Sequence, residues 1–209
     1  MADYSKSDHW AVKAQKEGYP ARSVYKLKEI DEKFRLVSKA SSFKALDLGA
    51  APGSWSLYLL RKLKPQGVSN PHPLILAVDL SPLSREHDHG LFDTPSFHFF
   101  QGDFTSPEIQ EQIHSLGPFN LVLSDAAPAT SGNRSLDSLR SLDLAETALS
   151  YAHSALAPGG NFLCKIFQGG QEGQFLKTLK ASFTNARAYK PEACRTGSFE
   201  VYYVGLGKK

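Results

Sequence analysis

The chain has 209 residues, of which 41% are hydrophobic and 22% charged, with 16 glycines and 12 prolines. These proportions belong to a single globular domain and exclude disordered, collagen-like and fibrous classes. No apolar run approaches the roughly 18 residues of a membrane span, and Met1-Ala-Asp-Tyr-Ser-Lys lacks the apolar centre of a secretion signal, so a soluble cytoplasmic protein is expected.

The two cysteines, Cys164 and Cys194, form no CxxC pair or His-rich cluster, which points to reduced thiols and no metal site. Charge is distributed unevenly. Residues 1–40 hold 9 Lys/Arg against 6 Asp/Glu, residues 41–176 hold 8 against 13, and residues 177–209 hold 7 against 2. Two basic ends around an acidic middle suit a polyanion such as RNA if the ends meet in space.

After a polar opening, Val24, Leu27, Ile30 and Phe34 recur at helical spacing, with Ser23 available as N-cap. Residues 1–40 are therefore expected to form a basic segment with a helix, packed on the domain formed by residues 41–209. Phe43-Lys-Ala-Leu-Asp-Leu then reads as a strand, Gly49-Ala-Ala-Pro-Gly53 as a tight turn, and Ser54–Leu63 as a helix. Further strands are predicted at Leu74–Asp79, Phe97–Asp103, Phe119–Asp125, Asn161–Phe167 and Glu200–Leu206, with helices at Ser138–Leu156 and Gln174–Phe183. Residues 65–73, 81–95 and 129–136 read as surface loops, the last a candidate lid. Alternating strands and helices imply an α/β, Rossmann-like fold: a mostly parallel sheet with helices on both faces.

In such a sheet, ligands bind at the carboxyl ends of the strands. Asp47, Asp79, Asp103 and Asp125 all fall near those ends. The turn Gly49–Gly53 allows close approach to backbone but lacks the GxGxxG spacing of dinucleotide enzymes. An acidic pocket without a pyrophosphate-binding turn suits S-adenosylmethionine, which carries sulfonium and ammonium charges.

Four stretches taken together, Asp47-Leu-Gly-Ala-Ala-Pro-Gly-Ser-Trp-Ser, Ser124-Asp-Ala-Ala-Pro, Leu156-Ala-Pro-Gly-Gly-Asn-Phe-Leu-Cys-Lys-Ile-Phe-Gln-Gly and Arg195-Thr-Gly-Ser-Phe-Glu-Val-Tyr-Tyr-Val, resemble the FtsJ/RrmJ family of ribose 2′-O-methyltransferases. The resemblance runs from about Tyr19 to the C-terminus. It implies a Rossmann-like methyltransferase domain with an antiparallel C-terminal strand and S-adenosyl-L-methionine as cofactor. By similarity, Gly53, Trp55, Asp79, Asp103 and Asp125 match the cofactor-contacting positions, and Lys26, Asp125, Lys165 and Glu200 match the family's K-D-K-E catalytic tetrad. Ser54 stands where the family commonly has glycine.

The implied reaction is in-line methyl transfer to a ribose 2′-hydroxyl, which needs aligned partners and help with the hydroxyl proton. Lys165 is the expected catalytic amine, as a neutral base or as an ammonium. The implied acceptor is RNA, a uridine of 23S ribosomal RNA in the large subunit, with transfer RNA or an mRNA cap as alternatives. A catalytically silent RNA-binding module is the alternative from another class. DNA lacks the acceptor hydroxyl, and no membrane partner is expected; the enzyme is expected to be a monomer. Lys13, Lys16, Arg22 and Lys28 from one end, and Lys177, Lys180, Arg187, Lys190 and Arg195 from the other, are the expected phosphate contacts.

Overall fold

The computed structural model describes residues 9–38, 40–63, 72–195 and 197–209. Among these, helices α1 (His9–Lys16), α2 (Val24–Phe34), α3 (Ser54–Leu63), α4 (Pro107–Leu116), α5 (Arg134–Ala155) and α6 (Glu172–Ser182) surround a seven-stranded sheet. Its strands are β1 (Lys44–Leu48), β2 (Leu74–Asp79), β3 (Phe97–Gln101), β4 (Phe119–Ser124), β5 (Leu156–Phe167), β6 (Phe183–Tyr189) and β7 (Glu200–Lys208). The spatial order is β3-β2-β1-β4-β5-β7-β6. Strands β1 to β5 pair in parallel, and β7 inserts antiparallel between β5 and β6.

The central strands are apolar runs because both of their faces are covered. Alternation sorts their side chains into two cores. Ala45, Ile75, Leu121, Leu163 and Tyr202 pack with α2 and α3 on one face, and Leu46, Leu76, Val122, Phe162 and Tyr203 pack with α5 and α6 on the other. The order reverses at β1, where β2 lies on one side and β4 on the other, so the crevice for a ligand opens at the carboxyl ends of these strands.

Several local expectations are corrected. The polar opening contains α1, whose Trp10 sits 4.9 Å from the Tyr25 ring; one aromatic and the buried Ala14 suffice to dock two turns. Ser23 precedes α2 without a side-chain capping bond. The predicted third strand stops at Gln101, leaving Asp103 in the following turn, where its Oδ1 accepts from the Thr105 N–H and hydroxyl, both at 2.8 Å. The segment after α6 continues directly into β6, an edge strand that buries only Phe183 and Ala186 and so lacks a strand-like apolar pattern. The candidate lid is in part helical: α5 begins at Arg134, capped by Asn133, whose Oδ1 accepts from the Ser135 and Leu136 N–H groups. Of the loop read over residues 65–73, only His72 and Pro73 lie within the described residues.

Candidate active site

The turn after β1 shapes the crevice. Gly49 has φ +75°, and a Cβ there would lie 2.7 Å from the Ala126 Cα, so only glycine lets this turn pass the end of β4. The N–H groups of Gly49 and Ala50 donate to the Val78 carbonyl, and the Ala51 N–H donates to Asp79 Oδ2 at 2.9 Å, fixing the turn against the end of β2. A cavity of about 640 Å³ opens beside it, lined by Gly49, Asp79, Asp103, Asp125 and Pro128 among others. That volume is typical of small-molecule sites, and three carboxylates in one wall favour a cationic ligand.

Asp47 lies behind this wall, fully buried. Its Oδ2 accepts from Ser56 Oγ at 2.7 Å, while Oδ1 has no hydrogen-bond partner. Burial pushes its carboxyl up to about 7; the Ser56 bond opposes that rise, and the charges of Asp125 and Asp79 add to it.

The four tetrad residues come from α2, the end of β4, β5 and β7, and the fold brings them together. Lys26 Nζ donates to Glu200 Oε2 at 2.8 Å. Lys165 Nζ lies 2.9 Å from Asp125 Oδ1 and donates to the Asp125 carbonyl at 2.6 Å. Lys165 and Glu200 are each only 8% exposed. Burial works against ionisation of Asp125, but the ammonium groups of Lys165 and Lys26 and the hydrogen bonds from Lys165 and Tyr202 outweigh it. The Asp125 carboxyl therefore sits below the usual carboxylate range. It is also the one tetrad residue in the wall of the cavity, which puts the two ion pairs beside the ligand site.

The β5–β7 ladder explains this convergence. Lys165 lies opposite Tyr202, and Phe167 lies opposite Glu200. Directly opposed residues and those two apart on one strand share a face, so all four project to the α2 side. Tyr202 was not among the site residues expected from sequence, although it lies two positions after Glu200. Its hydroxyl donates to Asp125 Oδ1 at 2.8 Å, and burial, followed by the charges of Asp125 and Glu200, raises its phenol well above the ordinary range, keeping it a donor.

Gly53 and Trp55 lie apart from the cavity lining. Gly53 has φ +105° at the start of α3, and a Cβ there would meet the Phe92 ring at 3.0 Å. Trp55 is 3% exposed, packs with its ring centroid 6.1 Å from that of Tyr202, and donates from Nε1 to the Ser23 carbonyl at 2.9 Å. Ser54 Oγ accepts from the Ala21 N–H at 2.8 Å, so the serine in place of the family's common glycine ties α3 to the lead-in of α2. Both contacts hold the helix that carries Lys26.

The cysteines offer no thiolate. Burial raises the Cys164 thiol well above its usual range; burial, then the charge and hydrogen bond of Glu200, pushes Cys194 up to about 12.

The FtsJ-like methyltransferase family matches residues 19–208. The chain belongs to the FtsJ-like methyltransferase family. As a member of that family it uses S-adenosylmethionine, and the acidic cavity fits that cation. Among its relatives, the ribosomal RNA large subunit methyltransferase E of Treponema denticola is 49% identical over 206 residues, covering 99% of this chain and 97% of that protein. The protein of the same name from Desulforapulum autotrophicum is 42% identical over 208 residues, covering 97% and 93%. A Plasmodium falciparum protein whose crystal structure is described as a ribosomal RNA methyltransferase superposes with a TM-score of 0.72 at 25% identity, covering 91% of this chain and 98% of that one. The antiparallel β7 inserted beside β5 is what sets Tyr202 opposite Lys165 and Glu200 opposite Phe167, two positions further along β5.

Proposed function

We propose that this FtsJ-like methyltransferase transfers a methyl group from S-adenosylmethionine to a ribose 2′-hydroxyl of large-subunit ribosomal RNA, a uridine of 23S RNA. The observation that carries this reading is the meeting of two ammonium and two carboxylate groups from four separate segments at the wall of the acidic cavity. The relatives' names supply the ribosomal RNA.

When bound, the cofactor supplies an electrophilic methyl. Asp79, at the end of β2, is placed to accept hydrogen bonds from ribose hydroxyls, and Asp103 from an adenine amine. Gly53 and Trp55 act in this reading by shaping the turn and start of α3 around the cofactor.

Lys165 has three N–H bonds, and Asp125 takes two through its carbonyl and carboxylate. The third serves the acceptor oxygen. As an ammonium, 2.9 Å from the Asp125 carboxylate, Lys165 would stabilise the negative charge that the 2′-oxygen carries as its proton leaves. The proton passes to water as attack begins, and the methyl carbon's bond to oxygen forms while its bond to the sulfonium sulfur breaks, releasing the neutral thioether. Lys26 adds positive charge near Asp125, and Glu200 holds Lys26 in place.

The two basic ends meet. Arg22 Nη2 donates to the Ala193 carbonyl at 2.6 Å, and Glu29 accepts from the Tyr189 hydroxyl and the Glu192 N–H. This joins α2 to the β6–β7 connection, so Lys28 on α2 and Lys190 and Arg195 on that connection belong to one side of the molecule. Lys177 and Lys180, by contrast, lie on α6, which packs on the opposite face of the sheet. Among the described residues, large exposed apolar side chains are few, Val12, Leu80, Leu136 and Leu139, which supports a monomer.

The test is incubation with radiolabelled cofactor and large ribosomal subunits lacking the methyl group, beside bulk transfer RNA. Label entering the subunit RNA and not transfer RNA is expected; label in transfer RNA alone would overturn the ribosomal assignment.

A further inference from the structure

Beyond the tetrad, the same ladder carries an aromatic pair for which neither the core nor the catalytic charges account. Phe167 ends β5, two positions past Lys165, and Phe199 immediately precedes Glu200. Their rings meet edge to face, with centroids 4.8 Å apart at 62°. The Phe199 carbonyl accepts from the Gln168 N–H at 2.8 Å, which fixes the two chain segments side by side. Both phenylalanines are only half-buried and lie outside the two hydrophobic cores. Arg134, the exposed first residue of α5, places its guanidinium carbon 5.1 Å from the Phe199 ring centroid. Lys165 Nζ is 5.8 Å from the centre of Phe167.

The position of this group along the sheet gives it meaning. The acidic cavity spans the ends of β1, β2 and β4, whereas Phe167 and Phe199 lie at the ends of β5 and β7, with Lys165 between. A groove of about 400 Å³ borders Arg134, Gln168, Gly169 and Gly170, and a Cβ built on Gly170 would meet no atom within 4 Å. Glu172 accepts from the Gly169 and Gly170 N–H groups at 2.6 and 2.7 Å, holding the glycine turn in place.

We propose that Phe167, Phe199 and Arg134 form a stacking platform for the nucleobase of the acceptor nucleotide, drawn out of its RNA stack while its ribose lies at Lys165. This rests on the ribose reading above. In a nucleotide, the base is bonded to the carbon next to the one bearing the 2′-hydroxyl. An oxygen held by Lys165 therefore leaves the base a short distance away, and Phe167, its ring 5.8 Å from the Lys165 amine and outside the donor-cavity lining, lies within that reach. Aromatic faces and guanidinium planes are the common partners of unstacked RNA bases. Enzymes that act on paired nucleic acid extrude the target nucleotide and recover the cost through such contacts.

The test compares Phe199→Leu, which keeps apolar bulk without a flat face, with Phe199→Trp, which keeps the face. Methyl transfer to undermodified large subunits is measured for both, with cofactor affinity by calorimetry and thermal melting as controls. Loss of one stacked base raises the KM for the subunit roughly 5- to 100-fold in Phe199→Leu. Phe199→Trp stays within about 3-fold of the unaltered enzyme, and neither change moves cofactor affinity or melting. Arg134→Lys, which retains charge but not the plane, raises KM in the same direction. Equal KM values for the Leu and Trp variants, whether both normal or both raised, would overturn the platform. An unaltered enzyme that binds cofactor but transfers nothing to the subunit would instead overturn the acceptor assignment, and the platform with it.

Discussion

Lys26 Nζ and Glu200 Oε2 meet at 2.8 Å although 174 positions separate them in the chain. Their side chains are each about 11% exposed, so the pair is largely withdrawn from water and ties α2 to the start of β7. Breaking one partner of such a pair leaves a charge without compensation, whereas removing both does not. Lys26→Met and Glu200→Gln should each cost up to about 3 kcal/mol in urea unfolding. The double variant should cost about 1 kcal/mol or more below the sum of the singles. Additive losses would show that the two residues act independently.

Asp79 and Lys165 should separate cofactor binding from chemistry. Asp79→Ala removes a carboxylate from the cavity wall as well as the acceptor for the Ala51 and Ser81 N–H groups. It should weaken S-adenosylmethionine binding roughly 10- to 100-fold by calorimetry, the range for hydrogen bonds to a charged group. Lys165→Ala should leave that affinity within a few-fold, since Lys165 lies behind Asp125. The reverse pattern would exchange their assignments.

Asp47 makes stability depend on pH in a definite direction. Its carboxyl is held at about 7 in the folded chain, against an ordinary value of 3.8. The folded state therefore binds this proton more tightly than the unfolded state. The associated stability is complete below the ordinary value and is lost as pH rises through 7. Asp47→Asn is neutral throughout, so its stability relative to the unaltered protein should improve by about 3 kcal/mol between pH 5 and pH 8. Asp125 contributes with the opposite sign: its depressed value gives stability that is lost as pH falls below the ordinary carboxylate range. Being common to both proteins, it cancels in the comparison. Denaturant midpoints at the two pH values measure the effect; a constant difference would show that Asp47 is not held protonated.

The parts of the fold visible in the sequence were those whose pattern reports burial directly. Strands β1, β2, β4 and β5 contain continuous apolar runs because helices cover both faces, and the parallel order follows from the helices between them. Edge strand β6 was not visible, since Phe183 and Ala186 are its only buried side chains. For the site, the strand-end aspartates were evident from position, whereas grouping Lys26 with Glu200 required the family resemblance, because no local spacing records a contact across the whole chain. Tyr202 was hidden for a different reason. In an apolar strand a tyrosine reads as core, and only the register that sets it opposite Lys165 reveals its bond to Asp125. Trp55 illustrates the converse, a residue that stands in a ligand-binding motif yet spends its ring and indole N–H on Tyr202 and Ser23.

The proposed action of the Lys165 amine on a ribose oxygen is tested most directly by nucleoside analysis of subunit RNA after reaction with labelled cofactor. The unaltered enzyme should place the label in a 2′-O-methylribonucleoside, and Lys165→Ala should lower the rate at least about 100-fold with cofactor still bound. Label on a nucleobase, or a Lys165→Ala rate equal to that of the unaltered enzyme, would contradict it.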